Sequence, residues 1–322
     1  MSYEKIQMPS AESIPELWYG KRYYSLDAYF KNTFGHKLNK IAIDAGFTCP
    51  NRDGSLDTRG CIFCSAGGSG DFAVSFSSIE TDGPYVAYFQ SYTCTYAPTE
   101  QLEHIYRQAL DDPHVSGISI ATRPDCLPEE VLALLSRLKA GYPHKFIWVE
   151  LGLQTIHEQT ALYIRRGYAL DCFARSVHAL ASLRIPVIVH VILGLPGESE
   201  RMMLETVEYL NTLPVSGIKL QLLHVLAGTD LETDYRKGTF SVLTMETYLH
   251  ILINCMEHLS PGIVVHRVTG DGPKDLLLAP LWSANKKKVL NALHHRMKLQ
   301  NSYQGKYWKG IISHAAGTSD TL

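Results

Sequence analysis

The sequence predicts an α/β protein built on a parallel sheet, and three observations carry that expectation. Short apolar runs alternate with amphipathic stretches along most of the chain, the pattern of repeated βα units. Its 322 residues suit one large domain with short extensions, since α/β barrels occupy roughly 250 residues as a single unit. Apolar residues make up 45% of the chain and charged residues 19%, a globular balance that argues against a disordered or fibrous protein.

Strands are expected at 40–47 (KIAIDAGF), 85–92 (YVAYFQSY), 117–122 (GISIAT), 146–154 (FIWVELGLQ), 187–194 (VIVHVILG) and 217–225 (GIKLQLLHV), with a seventh at 263–269 (IVVHRVT). Between them, Leu102, Ile105, Tyr106, Ala109 and Leu110 share one helical face, as do Tyr248, Ile251, Leu252, Cys255, Met256 and Leu259. Pro128 is placed to open a helix through Val131, Leu134, Leu135 and Leu138, with Gly141 just past its end. Further helices fit 171–183 and 199–213. The Gly- and Ser-rich segment 67–84 has no clear period and reads as a loop, with Gly67, Gly68, Ser69 and Gly70 as a flexible stretch. Six βα units fit an open doubly wound sheet or a barrel, complete or partial. Either arrangement places chemistry beyond the carboxyl ends of the strands.

Charge and apolar runs narrow the classes of partner. Lys and Arg number 30 against 32 Asp and Glu, so net charge alone points to neither nucleic acid nor membrane. No apolar run reaches the 18 or so residues of a membrane span, and the first residues lack the apolar region of a signal peptide. The expectation is a cytoplasmic protein with no membrane partner.

Seven cysteines are too few and too uneven for a disulfide scaffold. Cys49, Cys61 and Cys64 form C-x11-C-x2-C after the first strand, and the intervening Pro, Asn, Asp and Gly let the loop bend back on itself. Three thiolates on a four-iron cluster leave one iron open to a small molecule. A zinc site completed by a distant residue such as Cys94, or cysteines that merely pack, are the alternatives that spacing leaves open. Cys126, Cys172 and Cys255 read as core residues.

The cysteine spacing followed by a βα series resembles the radical S-adenosylmethionine (SAM) superfamily. More narrowly, AGFTCPNRDG, FQSYTCTYAP, ATRPDCLP, ELGLQT with RRGY, HVILGLPGE and HRVTGDGPKDLLLAPLWSANKKKVLNA resemble, in order, the YhcC/YtqA-like branch related to the catalytic subunit of Elongator, over about residues 20–310. The resemblance implies a partial (β/α)6 TIM-like barrel over 40–275, with an iron-sulfur loop after the first strand. An N-terminal extension, 1–39, and a basic aromatic C-terminal extension, 276–322, would flank it. It also implies a [4Fe-4S] cluster on Cys49, Cys61 and Cys64 that, once reduced, cleaves SAM to methionine and a 5′-deoxyadenosyl radical. An electron donor such as flavodoxin or ferredoxin is implied as a partner.

By the same resemblance Phe63 contacts adenine, Glu150 and Gln154 make polar contacts with SAM, and Arg166 pairs with the methionine carboxylate. Gly194 then belongs to a turn near adenine. Glu150 is singled out by its position too, because a carboxylate within an apolar strand is either a rim group or a costly buried charge. Cys94 stands where the family usually has Asn and is a candidate catalytic thiol. His190, His224 and His266 read as interior histidines, since none has a partner at ligand spacing.

Charge is unevenly distributed along the chain. From Leu276 to Ser319 there are seven Lys or Arg and no Asp or Glu, together with Trp282, Tyr303, Tyr307 and Trp308. Basic groups interleaved with aromatics suit a nucleic-acid backbone with unstacked bases, and Lys286, Lys287, Lys288, Arg296 and Lys298 are the expected contacts. A solvated basic face is the plainer alternative. The family reading implies tRNA as substrate, with remodelling of a wobble-uridine side chain. The chain beyond the barrel is too short for Elongator's acetyltransferase domain, so acetyl transfer is not expected. A radical enzyme acting on a small molecule and a zinc-stabilised RNA-binding protein are the other readings.

Overall fold

The computed structural model describes residues 14–310 apart from 82 and 271. Along them run α1 (Leu26–Phe34), β1 (Asn39–Ile43), β2 (Tyr85–Phe89), α2 (Thr99–Asp111), β3 (Val115–Thr122), α3 (Glu129–Gly141) and β4 (Phe146–Gln154). There follow α4 (Glu158–Tyr163), α5 (Leu170–Ser182), β5 (Val187–Leu193), α6 (Glu200–Leu210), β6 (Gly217–Leu222), β7 (Val225–Leu226), α7 (Asp230–Arg236) and α8 (Met245–His258). The chain ends with β8 (Val264–Arg267), β9 (Leu277–Ala279) and α9 (Lys286–Leu299). Seven strands pair in parallel in the order β1-β2-β3-β4-β5-β6-β8, a sheet curled into a half-barrel. Strands β7 and β9 form a separate antiparallel pair.

Period-two alternation divides each strand between two environments. Outward residues such as Val149, Leu151, Val189, Val191, Ile218 and Leu220 join the main core beneath the helices. That core takes its other wall from α2, α3, α5, α6 and α8, whose apolar stripes are buried as their spacing predicts. Side-chain caps fix several helix starts. Ser199 accepts from the Met202 amide at α6, and Thr244 from the Thr247 amide at α8.

Inward residues form layers along the barrel axis. The lowest is aromatic: Trp148 stacks on Phe30 of α1 at 5.8 Å and on Phe146 at 4.3 Å. Helix α1 therefore plugs the amino end of the barrel with Phe30 and its neighbours Leu26, Tyr29 and Phe34. Above the plug, Lys40, Tyr88, Ser119, Glu150, His190, Lys219 and His266 come from the seven successive strands and share a polar layer.

All seven expected strands are present, and the departures lie between and beyond them. The connection from β1 to β2 holds no α-helix, only loop, a short 3-10 turn at Phe76–Ser78 and a bridge from Val74 to Ile43. Helices α1 and α9 lie in segments read from sequence as extensions. Helix α9 buries Val289, Leu293 and Met297 in the main core, and Gln304 is buried while bonding Tyr24, Ser260 and Ile263. The parts of the expected extensions at 1–13 and 311–322 lie outside the described residues.

Because Phe30 is 2% exposed and stacks on Trp148, truncating it leaves a cavity at the barrel's closed end. Phe30→Ala is expected to lower unfolding free energy by about 3–5 kcal/mol, read as a reduced urea midpoint with an unchanged slope.

Candidate active site

The carboxyl ends of the strands open into a cavity of about 1080 Å³, at the upper end of the roughly 300–1,000 Å³ of single-ligand pockets. Cys49, Cys61 and Cys64 all line it and are half-buried. The 49–64 loop is tightly tied. The Cys49 carbonyl accepts from the Arg52 amide at 2.8 Å, the Gly60 amide donates to the Asn51 carbonyl at 2.7 Å, and the Cys64 amide donates to Cys61 at 3.0 Å. The Asn51 side-chain amide donates to the Arg165 carbonyl at 2.8 Å and to Cys61 Sγ at 3.5 Å. Arg52 donates to the Cys64 and Ser65 carbonyls at 2.9 and 2.6 Å.

Cys61 senses the other two sulfurs. Burial pushes Cys61 up to about 12, with Cys64 and Cys49 adding to the rise. Three soft sulfur donors in one bonded loop on a cavity wall fit the donor set that would hold an iron-sulfur cluster.

The loop at 67–70 is a clamp rather than the flexible stretch expected from its composition. Gly68 has φ +60°, and a Cβ there would stand 2.3 Å from the Tyr92 ring; one on Gly70 would stand 2.0 Å from Ser91 Oγ. Tyr92 donates to the Ala66 carbonyl at 2.7 Å, and Gln90 to the Ser69 carbonyl at 2.6 Å. The turn after β2 thus holds the backbone that follows Cys64, and Ser69 Oγ lies 3.6 Å from the Cys64 sulfur.

Glu150 is buried and belongs to the lining of the cavity, at its floor. One carboxylate oxygen accepts from Lys40 and from Ser119 at 2.7 Å; the other accepts from His190 at 2.6 Å and from Lys219. These four donors occupy the acceptor sites that a carboxylate offers. Burial opposes the charge of Glu150, but Lys219, Lys40 and the His190 hydrogen bond outweigh it and hold the carboxyl well below its usual range. Lys219 also donates to the Tyr88 hydroxyl at 2.8 Å, and the Tyr88 ring lies 4.0 Å from the Lys40 ammonium and 4.3 Å from that of Lys219. Burial and the Lys219 charge push His190 down to about 4, so it stands neutral and donates from Nε2.

The other expected site residues divide. Phe63 and Gln154 line the cavity, and Gln154, at φ 64°, has a buried Oε1 with no partner. That orphaned acceptor and the aromatic wall suit a polar ligand with a ring, as SAM is. Arg166 lines the cavity too, yet its guanidinium donates to the carbonyls of Thr155 at 2.6 Å and Tyr168 at 2.9 Å. Gly194 lies outside the lining, with Leu243 packed where a Cβ would sit. Cys94 also lies outside it, fully buried in the core, its thiol donating to the Ser91 carbonyl at 3.2 Å. A distant completion of the cysteine site by Cys94 therefore has no support in its placement.

The basic segment divides as well. Lys286 lines the cavity, while Lys287, Lys288 and Lys298 are exposed. Arg296 pairs with Glu246 at 2.7 Å and Lys306 with Glu257 at 3.3 Å, so α8 supplies acids that the segment itself lacks. Trp282 donates to the Leu243 carbonyl and Tyr303 is buried, which leaves neither ring open to a base.

Sequence reasoning missed Lys40, Tyr88, Lys219 and Arg123. Arg123 lines the cavity, forms two bonds to Asp125 and lies 5.0 Å from the Tyr168 ring. A signal existed for the lysines: each interrupts an apolar strand, the same oddity that marks Glu150.

Comparison with known proteins places this geometry. The Radical SAM superfamily model matches residues 58–210, and that of the Radical SAM C-terminal domain matches 215–299. The chain is 43% identical over 311 residues to the uncharacterized protein YtqA of Bacillus subtilis, covering 92% of this chain and 96% of that one. It is 34% identical over 290 residues to YhcC of Escherichia coli strain K12, covering 85% and 93%. Among solved structures, archaeal Methanocaldococcus infernus Elp3, with an N-terminal deletion, superposes with a TM-score of 0.61 at 16% identity, covering 70% of this chain and 56% of that one. That last likeness is one of fold.

Two outcomes test the site's construction. The folded state holds His190 neutral to about pH 4, whereas an unfolded histidine protonates near 6.5. Protonation thus favours unfolding, and this part of the stability is present above about pH 6.5 and lost as pH falls toward 4. The melting temperature should fall over that window, and less steeply in His190→Gln, which keeps an amide donor but does not titrate. Gly68→Ala should lower the iron bound per chain on anaerobic reconstitution, since the added methyl displaces Tyr92 and with it the backbone behind Cys64.

Proposed function

The chain belongs to the radical SAM superfamily, and on that premise we propose that it remodels the side chain of a tRNA wobble uridine. It is an enzyme of the [4Fe-4S] cluster and SAM. When bound, that pair supplies one electron and a carbon radical able to take a hydrogen atom from a substrate.

In this proposal the protein holds, orients and shields. Cys49, Cys61 and Cys64 hold the cluster, with Asn51 and Arg52 fixing their loop. Phe63 and Gln154 offer SAM an apolar wall and an acceptor at the cavity surface. Glu150 and Arg166 act one step back: Glu150 anchors the floor, and Arg166 braces the carbonyls of the turn after β4. The aromatic plug and the closed charge network exclude water from below, as a reactive radical requires.

The observation that carries the tRNA reading is the lysine run at the start of α9. Lys286, Lys287 and Lys288 occupy the first turn of that helix, which has no acid of its own, and Lys287 and Lys288 are exposed. The helix dipole disfavours cations there, so three of them together suit an external anion better than helix stability. Lys286 continues the run into the cavity, whose lining also holds Lys274. A phosphate backbone on that turn would lead a nucleotide into the opening.

Mass spectrometry of tRNA nucleosides from a strain lacking this protein should reveal a changed wobble-uridine profile; an unchanged one defeats the tRNA reading and leaves a small-molecule substrate. Replacing Lys286, Lys287 and Lys288 by Ala should weaken binding across tRNA sequences. It should also flatten the dependence of log affinity on log salt by roughly 0.7–0.9 for each phosphate that is no longer neutralised.

A further inference from the structure

Phe72 poses a question that neither the fold nor the cofactors answer. Its side chain is 56% exposed, and of the exposed large apolar side chains among the described residues it alone lines the cavity. A lone exposed apolar side chain is ordinary on a protein surface, so its position rather than its exposure is the informative point. This one stands in the opening.

Its backbone is held firmly on both sides. The Asp71 carboxylate accepts from Ser65 Oγ at 2.8 and 3.0 Å, next to the third cluster cysteine. The Ala73 amide donates to the Gly70 carbonyl at 2.8 Å, and Val74 exchanges backbone bonds with Ala42 and Asp44 at 3.0 Å. The ring is therefore carried by a segment tied to the cluster loop and to the end of β1, and little ordering remains when a flat partner meets it.

The same lining carries Lys274 and Lys286. A second ligand at the mouth meets an exposed aromatic face and cations together. That combination suits an unstacked nucleobase on its phosphate backbone, because every base has a face to stack and a charge alongside. We infer that Phe72 is the stacking platform for the nucleobase drawn out of the RNA at this site. The inference rests on the tRNA reading and adds the residue that receives the base.

The test uses the cluster-loaded, SAM-bound full chain under anaerobic conditions and an anticodon stem-loop RNA with 2-aminopurine at the wobble position. At saturation, the fluorescence of the bound RNA should be lower with wild type than with Phe72→Leu, since the ring quenches the base it stacks on. Phe72→Leu should bind roughly tenfold more weakly, and Phe72→Trp should restore both affinity and quenching. Equal affinity and equal quenching for wild type and Phe72→Leu overturn the stacking role while leaving the tRNA reading intact. No saturable binding by wild type removes both. A Phe72→Leu variant that binds RNA normally but accepts electrons more slowly from reduced flavodoxin also overturns the inference, and assigns the ring to a protein contact.

Discussion

The ion cluster around Glu150 is the constraint on which the interior depends. An isolated carboxylate at 0% side-chain exposure would be driven neutral. Here two ammonium groups, an imidazole and a hydroxyl meet it from four different strands, and a fifth strand contributes Tyr88 between the lysines. The strands are tied through their inward side chains as well as their backbone ladders. Because removing one partner from such a cluster leaves the others buried and uncompensated, the layer behaves as a unit. Burial lowers the pKa of both lysines, Lys219 the further of the two, so the carboxylate is what keeps ammonium groups in this layer.

The cysteine loop shares the cavity lining with this layer. The connection from β1 to β2 gives up the usual crossover helix, and its length goes instead into the cysteine loop and the glycine clamp that follows. Without a helix to pack, the loop takes its rigidity from polar bonds: Asn51 to Arg165, Arg52 to Cys64 and Ser65, and Tyr92 to Ala66. Each of these fixes a backbone atom near a sulfur. A backbone tied this way lowers the ordering that ligand binding must supply.

Much of this was legible in the sequence, and the physical reason is burial on two sides. Parallel strands covered by helices read as near-continuous apolar runs, so all seven were visible, as were the helices with wide apolar stripes. The cysteine trio was visible because its ligands are local. What stayed hidden depends on contacts between distant segments. Lys40 and Lys219 meet Glu150 across 110 and 69 positions of sequence, and nothing in either strand names its partner. Glycines at 67–70 look the same in a flexible loop and in a clamp; only the Tyr92 ring tells them apart. Helix α9 was obscured by its polar start, where three lysines precede its first buried residue, Val289.

Layering along the barrel axis joins these features into one direction of approach. From the closed end upward come the aromatic plug on α1, the ion cluster, the cavity with its three thiols, and the rim where Lys274, Lys286 and Phe72 stand. Polarity and exposure rise together along that axis, and each layer restricts the next. The plug leaves no aqueous exit below, so the charges above it act in a medium of low dielectric where their fields reach further than in water. A ligand entering the cavity meets Phe72, Lys274 and Lys286 on the same lining as the three thiols.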